Sequence, residues 1–309
     1  MFSGLLGIVI GSGLSIQTVI NSRLRGYVGS PFLASTVSFC VGTLSLILIA
    51  LLSGQGLLIS SEQLASVPAW AWIGGFLGVI GLTTNILLFP YLGGVQTAIM
   101  PILGQVIMGM LIDSFGWFHA VPQAFGWNRM AGAALVLIGI FCAVALPELR
   151  RSHQHQSAVK GIWLWRLLGV VAGMMGATQT AVNGALGRIL HSSIQAALIS
   201  FLVGAITLLL FVAIREGRFN RVAQAAKSGM PWWIWFGGSL GAFFVFGSVI
   251  LVPLVGTGLT VIFSLLGMII GSLMVDQFGI LGAPRKPIIP VQILGLLLLL
   301  AGVGLIRLF

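Results

Sequence analysis

Two pairs of side-chain amides are the first residues in this sequence whose types and spacing could do chemistry. Gln17 and Asn21 form one pair, and Gln179 and Asn183 form the other. Residues four apart share one face of a helix, and an amide among apolar residues needs a hydrogen-bond partner. The pairs are therefore predicted either to bond across neighbouring helices or to line a path for a polar solute.

Two carboxylates accompany these amides in otherwise apolar sequence. Asp113 and Asp276 both stand in an Asp-x-Phe-Gly motif, and they belong to only five acidic residues in the chain. Both are predicted to take part in gates, and the alternative for Asp276 is a surface carboxylate that pairs with Arg285 or Lys286 and fixes a loop.

The elements that must position these residues are membrane-spanning helices. The chain of 309 residues is 58% hydrophobic and only 6% charged, and a water-facing surface needs far more charge than this. Stretches of about 20 apolar residues can cross a bilayer core of about 30 Å. Ten such stretches are predicted, near 2–22, 32–53, 70–92, 94–115, 127–146, 162–184, 194–214, 231–254, 256–276 and 288–308.

The ten predicted helices are two copies of one five-helix unit. Gln17 and Asn21 recur as Gln179 and Asn183, and the match continues through the Ser-Phe-x-x-Gly, Trp-x-Trp and Asp-x-Phe-Gly motifs of both halves. Residues 1–147 form the first repeat, 148–161 a cytoplasmic linker and 162–309 the second repeat. Because five is an odd number, the copies are expected to cross the membrane in opposite directions. The fold class is therefore an all-α polytopic membrane protein with two inverted repeats.

The Lys and Arg residues fix the expected orientation. Most of the fifteen fall in loops on one side of the threaded helices, which the positive-inside rule makes cytoplasmic, so both termini are predicted outside. Each membrane face then receives one amide pair and one carboxylate. These are the predicted gates: Gln17, Asn21 and Asp276 inside, and Gln179, Asn183 and Asp113 outside.

A substrate site is expected near the midplane, between the repeats. The candidates are Gln105, Asn85, Ser38, Ser200, Ser15 and Thr43. Gln105 and Asn85 have no amide counterpart, since the other repeat carries Met268 and Ser248 there. Without a charged residue at this depth, the site is predicted to take a zwitterionic or uncharged polar metabolite.

Several function classes are disfavoured. The charge of +10 is spread over loops, which argues against nucleic acid. His153 and His155 lack further metal ligands, and no phosphate-binding loop with Lys is present. No cofactor or metal is expected. The two Asp residues are threaded to opposite faces, which argues against an intramembrane enzyme.

The Gln-x-x-x-Asn, Ser-Phe-x-x-Gly and Asp-x-Phe-Gly motifs, in this order and in both halves, resemble the YdcZ-like branch of the drug/metabolite transporter superfamily. The resemblance implies inverted repeats around a central path and a secondary transporter that exports a small metabolite or drug. A lipid or lipid-linked-carrier flippase is the alternative. Where the small multidrug-resistance branch has a proton-binding glutamate in its first helix, this chain has Gln17, so proton coupling does not carry over. A fused chain of this kind is expected to work as a monomer.

Overall fold

The described part of the chain consists of helices joined by short loops, with no β-strand. In this computed structural model it comprises residues 2–57, 59–123, 126–146, 161–282, 285 and 287–308, with the backbone alone at 64, 85–86, 89–99, 145 and 307–308. The predicted linker at 148–161, with His153 and His155, lies outside it except for residue 161. The helices are α1 Phe2–Val28, α2 Pro31–Leu52, α3 Ser61–Ser66, α4 Gly74–Phe115, α5 Trp127–Ile140, α6 Ile162–Ile189, α7 Ser193–Arg215, α8 Asn220–Lys227, α9 Gly237–Phe278 and α10 Pro290–Leu308. A π-helical turn, Phe141–Ala145, continues α5.

The all-α membrane fold predicted from composition is confirmed. Within the described residues, five helices are long and apolar enough to cross a membrane, and three shorter apolar helices accompany them. The number of ten spans stays a prediction.

Local sequence sets where these helices begin and end. Ser30 caps α2 by accepting a hydrogen bond from Leu33 N at 3.2 Å, and Ser192 caps α7 in the same way. Gly116 (φ 67°) and Gly279 (φ 62°) end α4 and α9 in the left-handed conformation, which glycine adopts without steric cost. The last residue of each Asp-x-Phe-Gly motif is therefore a helix stop.

Both 42-residue helices, α4 and α9, fold back on themselves. A Cβ added at Gly169 would lie 2.7 Å from Met100 Cβ and 3.2 Å from Leu88 Cδ1, although twelve residues of straight helix span about 18 Å. In α9, Leu251 and Phe263 meet at Gly7 in the same manner. Each element therefore consists of two antiparallel arms.

The reversal in α9 occurs at one glycine. Gly256 has φ 84° and ψ 169°, outside the helical region, and Pro253 lies just before it. A residue with a side chain would be strained in this conformation. The reversal in α4 lies at the matching place, between Leu88 and Met100.

The last helices of the two repeats, α5 and α10, show that the copies are inverted. Gly132 packs against the carbonyl of Gly302, which is the repeat equivalent of Gly139. Gly139 in turn packs against the carbonyl of Gly295, the equivalent of Gly132. The chain positions rise in one helix as they fall in the other, so these equivalent helices run in opposite directions.

The first helix of each repeat packs between the arms of the other repeat. Helix α1 lies against α9, and α6 lies against α4. Two glycine pairs with a four-residue spacing, Gly7 with Gly11 in α1 and Gly169 with Gly173 in α6, lie at these contacts. A Cβ at Gly11 would collide with the backbone of Ser264, and one at Gly173 with the backbone of Pro101. The two repeats are thus interlocked by close backbone contact, which is how small residues pair membrane helices.

Candidate functional site

A cavity of about 200 Å³ lies where the two repeats meet. Helices α1, α2, α4, α6, α7 and α9 all contribute to its wall. Its lining is mainly apolar, with glutamine, serine and threonine side chains interspersed; none of the described lining residues is charged. The polar lining residues are Gln17, Ser38, Gln105, Gln179, Thr180, Ser248, Thr260 and Ser264.

The two amide pairs fit onto two glycine pairs of the opposite repeat. Gln179 lies against Gly78: a Cβ added at Gly78 would be 2.5 Å from Nε2 of Gln179. Asn183 lies against Gly74. Both motifs have a four-residue spacing, so the amides of α6 match the glycines of the antiparallel arm of α4 turn by turn. Gln17 and Asn21 lie in the same way against Gly241 and Gly237. Side chains larger than glycine at these positions would displace the amides.

The asparagines also join the first two helices within each repeat. Asn21 Nδ2 donates to Ser38 Oγ at 3.2 Å, and Asn183 Nδ2 donates to Ser200 Oγ at 3.1 Å. Both Oδ1 atoms are buried without a hydrogen-bond donor. The Oδ1 of Asn183 instead lies against the Cα of Gly74, a weak Cα–H···O contact. Each asparagine therefore links its own repeat to the other one.

The glutamines differ from the asparagines in their hydrogen bonding. Among the residues that the structure describes, Gln17, Gln105 and Gln179 have no hydrogen-bond partner, and all three line the cavity. Amides placed in apolar surroundings gain most from a partner that enters the space they face. The three glutamines are therefore the groups best placed to bind a solute.

The hydroxyl groups of the lining present mainly lone pairs. Ser248 donates to Phe244 O at 2.8 Å, Thr260 to Gly256 O at 2.7 Å and Ser264 to Thr260 O at 2.8 Å. A hydroxyl whose proton is bonded within its own helix can still accept a hydrogen bond. A ligand would meet acceptors at these hydroxyls and donors at the glutamine amides.

The predicted substrate residues divide into two groups. Gln105 and Ser38 line the cavity. Ser15, Thr43 and Ser200 lie outside its lining and bond to Met268 O, Phe39 O and Asn183 respectively. The side chain of Asn85 lies outside the described residues.

Gln17 and Gln179, which are predicted gate residues, lie closer together than two gates at opposite faces would require. Both line one central cavity. The reason is helix length: α1 extends to Val28 and α6 to Ile189, several residues beyond the predicted ends, so each glutamine lies near the middle of its helix. The asparagines lie one turn further toward the helix ends.

Asp113 is buried at a contact between the two repeats. It is 1% exposed, and its two oxygens accept hydrogen bonds from Thr257 N and Gly258 N, both at 2.8 Å. These N–H groups begin the second arm of α9, and a helix N-terminus favours a negative charge. Arg129 Nη2 lies 3.7 Å from Asp113 Oδ2. Asp113 thus caps a helix of the other repeat beside the residue where α9 reverses.

The equivalent Asp276 lies in the second arm of α9 and also makes an interaction. The internal repeat predicts that it caps the second arm of α4 at the N–H groups of Gly94 and Val95, the equivalents of Thr257 and Gly258. The contacts there lie outside the described residues.

Two parts of this site were missed by sequence reasoning. Arg129 was treated as an orientation signal, whereas it is 8% exposed and pairs with Asp113. The phenylalanines of the lining are Phe39, Phe201 and Phe244, and the first two stand in the repeated Ser-Phe-x-x-Gly motif. The shared four-residue spacing of the amide and glycine motifs could have predicted their pairing.

Comparisons with known proteins agree with the repeated fold. Residues 2–142 and 164–305 match the family described as "Putative inner membrane exporter, YdcZ". Inner membrane protein YdcZ of Escherichia coli (strain K12) is 27% identical over 132 residues, which cover 43% of this chain and 87% of that protein. A solved structure described as "Crystal structure of protein" superposes with a TM-score of 0.70 at 15% identity, covering 99% of this chain and 96% of that one. This last likeness concerns the fold alone.

Proposed function

Since the chain belongs to the YdcZ family of the drug/metabolite transporter superfamily, we propose that it exports a small organic solute through the central cavity by alternating access. Membership makes it a multi-pass inner membrane protein of a transporter family. The solute, the direction and the mechanism are our proposal. We infer further that one chain suffices, since both repeats supply the lining.

The three glutamines without partners carry this proposal. All three side chains are only half-buried and reach the cavity, and their amides form no bond that would join two helices of the described residues, so a purely structural role does not account for them. A transporter needs such groups, since a solute or water can pair with them in turn. Their position between inverted repeats is the place where secondary transporters bind their substrates.

Alternating access is supported by the two asparagine–serine pairs at the ends of the cavity. They are related by the repeat, yet Asn183 is 2% exposed while Asn21 is only half-buried. The Asn183 end is therefore packed more tightly. A rocking of one repeat against the other would exchange the two environments, so that the end now sealed would open.

Efflux from vesicles of known content tests this function. Purified protein is reconstituted into liposomes loaded with an equimolar mixture of neutral, zwitterionic, cationic and anionic metabolites, and the retained content is followed by mass spectrometry. We expect at least one solute to leave faster than from protein-free liposomes.

A variant that fills the cavity supplies the control. An added Cβ at Gly81 meets nothing closer than 3.8 Å, and Gly81 lines the cavity. Its repeat equivalent is Phe244. Gly81→Phe should therefore fold and abolish efflux, whereas Gly81→Ala should retain it. Efflux equal to that from loaded, protein-free liposomes would contradict the proposal. Efflux that Gly81→Phe leaves unchanged would contradict it as well.

A further inference from the structure

We propose that the central cavity binds an uncharged aromatic or heteroaromatic solute that carries an amide-like polar group on one edge. This inference rests on the transport function proposed above and specifies its substrate class.

The cavity is asymmetric, because the two repeats differ at three lining positions. Gly81, Gln105 and Gly176 stand on one side, and their repeat equivalents Phe244, Met268 and Leu14 stand on the other. An added Cβ at Gly176 would lie 3.5 Å from Gln105 Nε2, so the missing side chain leaves room beside this amide. A solute that fits this space places a polar edge beside Gln105 and an apolar face beside Phe244 and Met268.

The absence of charge from the described lining selects against ions. Among the described residues, the ion pair of Asp113 with Arg129 lies outside the lining, at the start of the second arm of α9. A charged solute would lose its hydration shell and find no counter-ion in return. A zwitterion would lose hydration at two charges. An uncharged solute avoids both losses.

The hydrogen-bonding groups match a carboxamide or a similar group. Gln17, Gln105 and Gln179 each offer two N–H donors and one oxygen acceptor, while Ser248 and Thr260 offer lone pairs. A solute group with an oxygen acceptor beside N–H donors can satisfy both kinds. A ligand with acceptors alone would leave the glutamine oxygens and the hydroxyl lone pairs without partners.

The apolar wall of the cavity favours a solute with an aromatic ring. The rings of Phe39 and Phe201 lie 5.0 Å apart at an angle of 38°, and Phe244 completes this side of the cavity. Aromatic pairs prefer tilted or offset contacts at such distances. A volume of about 200 Å³ is below that of sites for drug-sized ligands, which take roughly 300–1,000 Å³. One ring with a small substituent fits this space.

Four compounds of equal size separate the properties in question. Benzamide is neutral and aromatic, benzoate is its anionic analogue, benzamidinium is its cationic analogue, and cyclohexanecarboxamide keeps the amide without the aromatic ring. Binding to the purified detergent-solubilised protein is measured by saturation-transfer NMR, with titrations in the millimolar range. We expect benzamide to bind about tenfold more tightly than either ion and about threefold more tightly than cyclohexanecarboxamide.

Two glutamine variants show where binding occurs. Gln105→Met copies the residue at the equivalent position of the other repeat and should weaken benzamide binding about tenfold. Gln224→Met makes the same change at an exposed position on α8, outside the cavity, and should leave binding unchanged. Equal effects of the two variants would overturn the assignment of the site.

The proposal is overturned if either ion binds as tightly as benzamide, or if none of the four compounds gives a saturation-transfer signal. These outcomes are distinct from a failure of transport. If benzamide binds in the expected order but no solute leaves the loaded liposomes, the ligand class stands and the transport function fails. If solutes leave the liposomes but an ion binds as tightly as benzamide, the transport function stands and the proposed ligand class fails.

Discussion

Replacing Asp113 by Asn tests whether this carboxylate stabilises the contact between the two repeats. Asp113 accepts two backbone N–H groups of α9 and faces Arg129. In Asp113→Asn one oxygen remains as an acceptor, while the new NH₂ group faces a second N–H donor. One backbone donor is left unpaired, and Arg129 loses its counter-charge in a buried position.

The size of the effect follows from these two losses. A hydrogen bond to a charged group contributes about 1.5–3 kcal/mol, and removing one partner of a buried ion pair costs about 3–5 kcal/mol. The two ranges describe overlapping interactions and do not add. Since the Arg129–Asp113 distance of 3.7 Å is long for an ion pair, we expect the lower end, about 3 kcal/mol of lost unfolding free energy.

The assay is unfolding in mixed micelles with increasing SDS, in a double-mutant cycle with Arg129→Gln. Glutamine is the natural residue at the equivalent position of the second repeat, Gln292. We expect the double variant to be at least 1 kcal/mol more stable than the sum of the single effects predicts, because no unpaired guanidinium remains. Glu62→Gln, at an exposed carboxylate, serves as the control and should change little.

Two results would refute this reasoning. Asp113→Asn could prove as stable as the wild type, in which case the cap contributes nothing. Alternatively, the two single effects could be strictly additive, in which case Arg129 does not stabilise the protein through Asp113.

Three further predictions concern packing, symmetry and charge. Gly173→Ala should destabilise the protein by about 1–3 kcal/mol, because the new Cβ would meet the backbone of Pro101. The control Gly13→Ala, whose Cβ would meet no atom closer than 3.8 Å, should be tolerated. Equal stability of the two variants in the SDS assay would contradict this prediction. Asp276→Asn should alter both efflux and the labelling of inward-facing cysteines, and an unchanged result in both assays would remove Asp276 from the gate. Benzamide affinity should stay constant from about pH 5.5 to about pH 8.5, since no described lining residue titrates there, and a tenfold change would show that an ionisable group takes part.

The sequence was sufficient to predict the repeats, the all-α membrane fold and the family. These follow from features that are local or periodic: apolar stretches, recurring motifs and glycine spacings. The inversion could be inferred because an odd number of helices reverses the second copy. None of these inferences requires knowledge of which helices touch.

The contacts between distant residues could not be predicted in this way. Asp113 bonds to N–H groups that lie 144 and 145 residues away in the chain, and nothing in its local sequence indicates an exposed helix N-terminus at that place. The central position of Gln17 was missed for a different reason. The hydrophobic pattern weakens at Asn21 and Arg23, yet the helix continues to Val28, because Leu24 and Val28 remain buried on one face.

The interlocking of the repeats has a consequence for biosynthesis. Ser12 of α1 donates to the carbonyl of Gly267, so the natural partner of the first helix emerges from the ribosome about 255 residues later. At a synthesis rate of roughly 5–20 residues per second, α1 remains in the lipid without this partner for about 13–50 s. Throughout this interval the glycine face of α1 lacks the partner that it has in the folded protein. Assembly of the amino-terminal half is thus limited by completion of the carboxyl-terminal half.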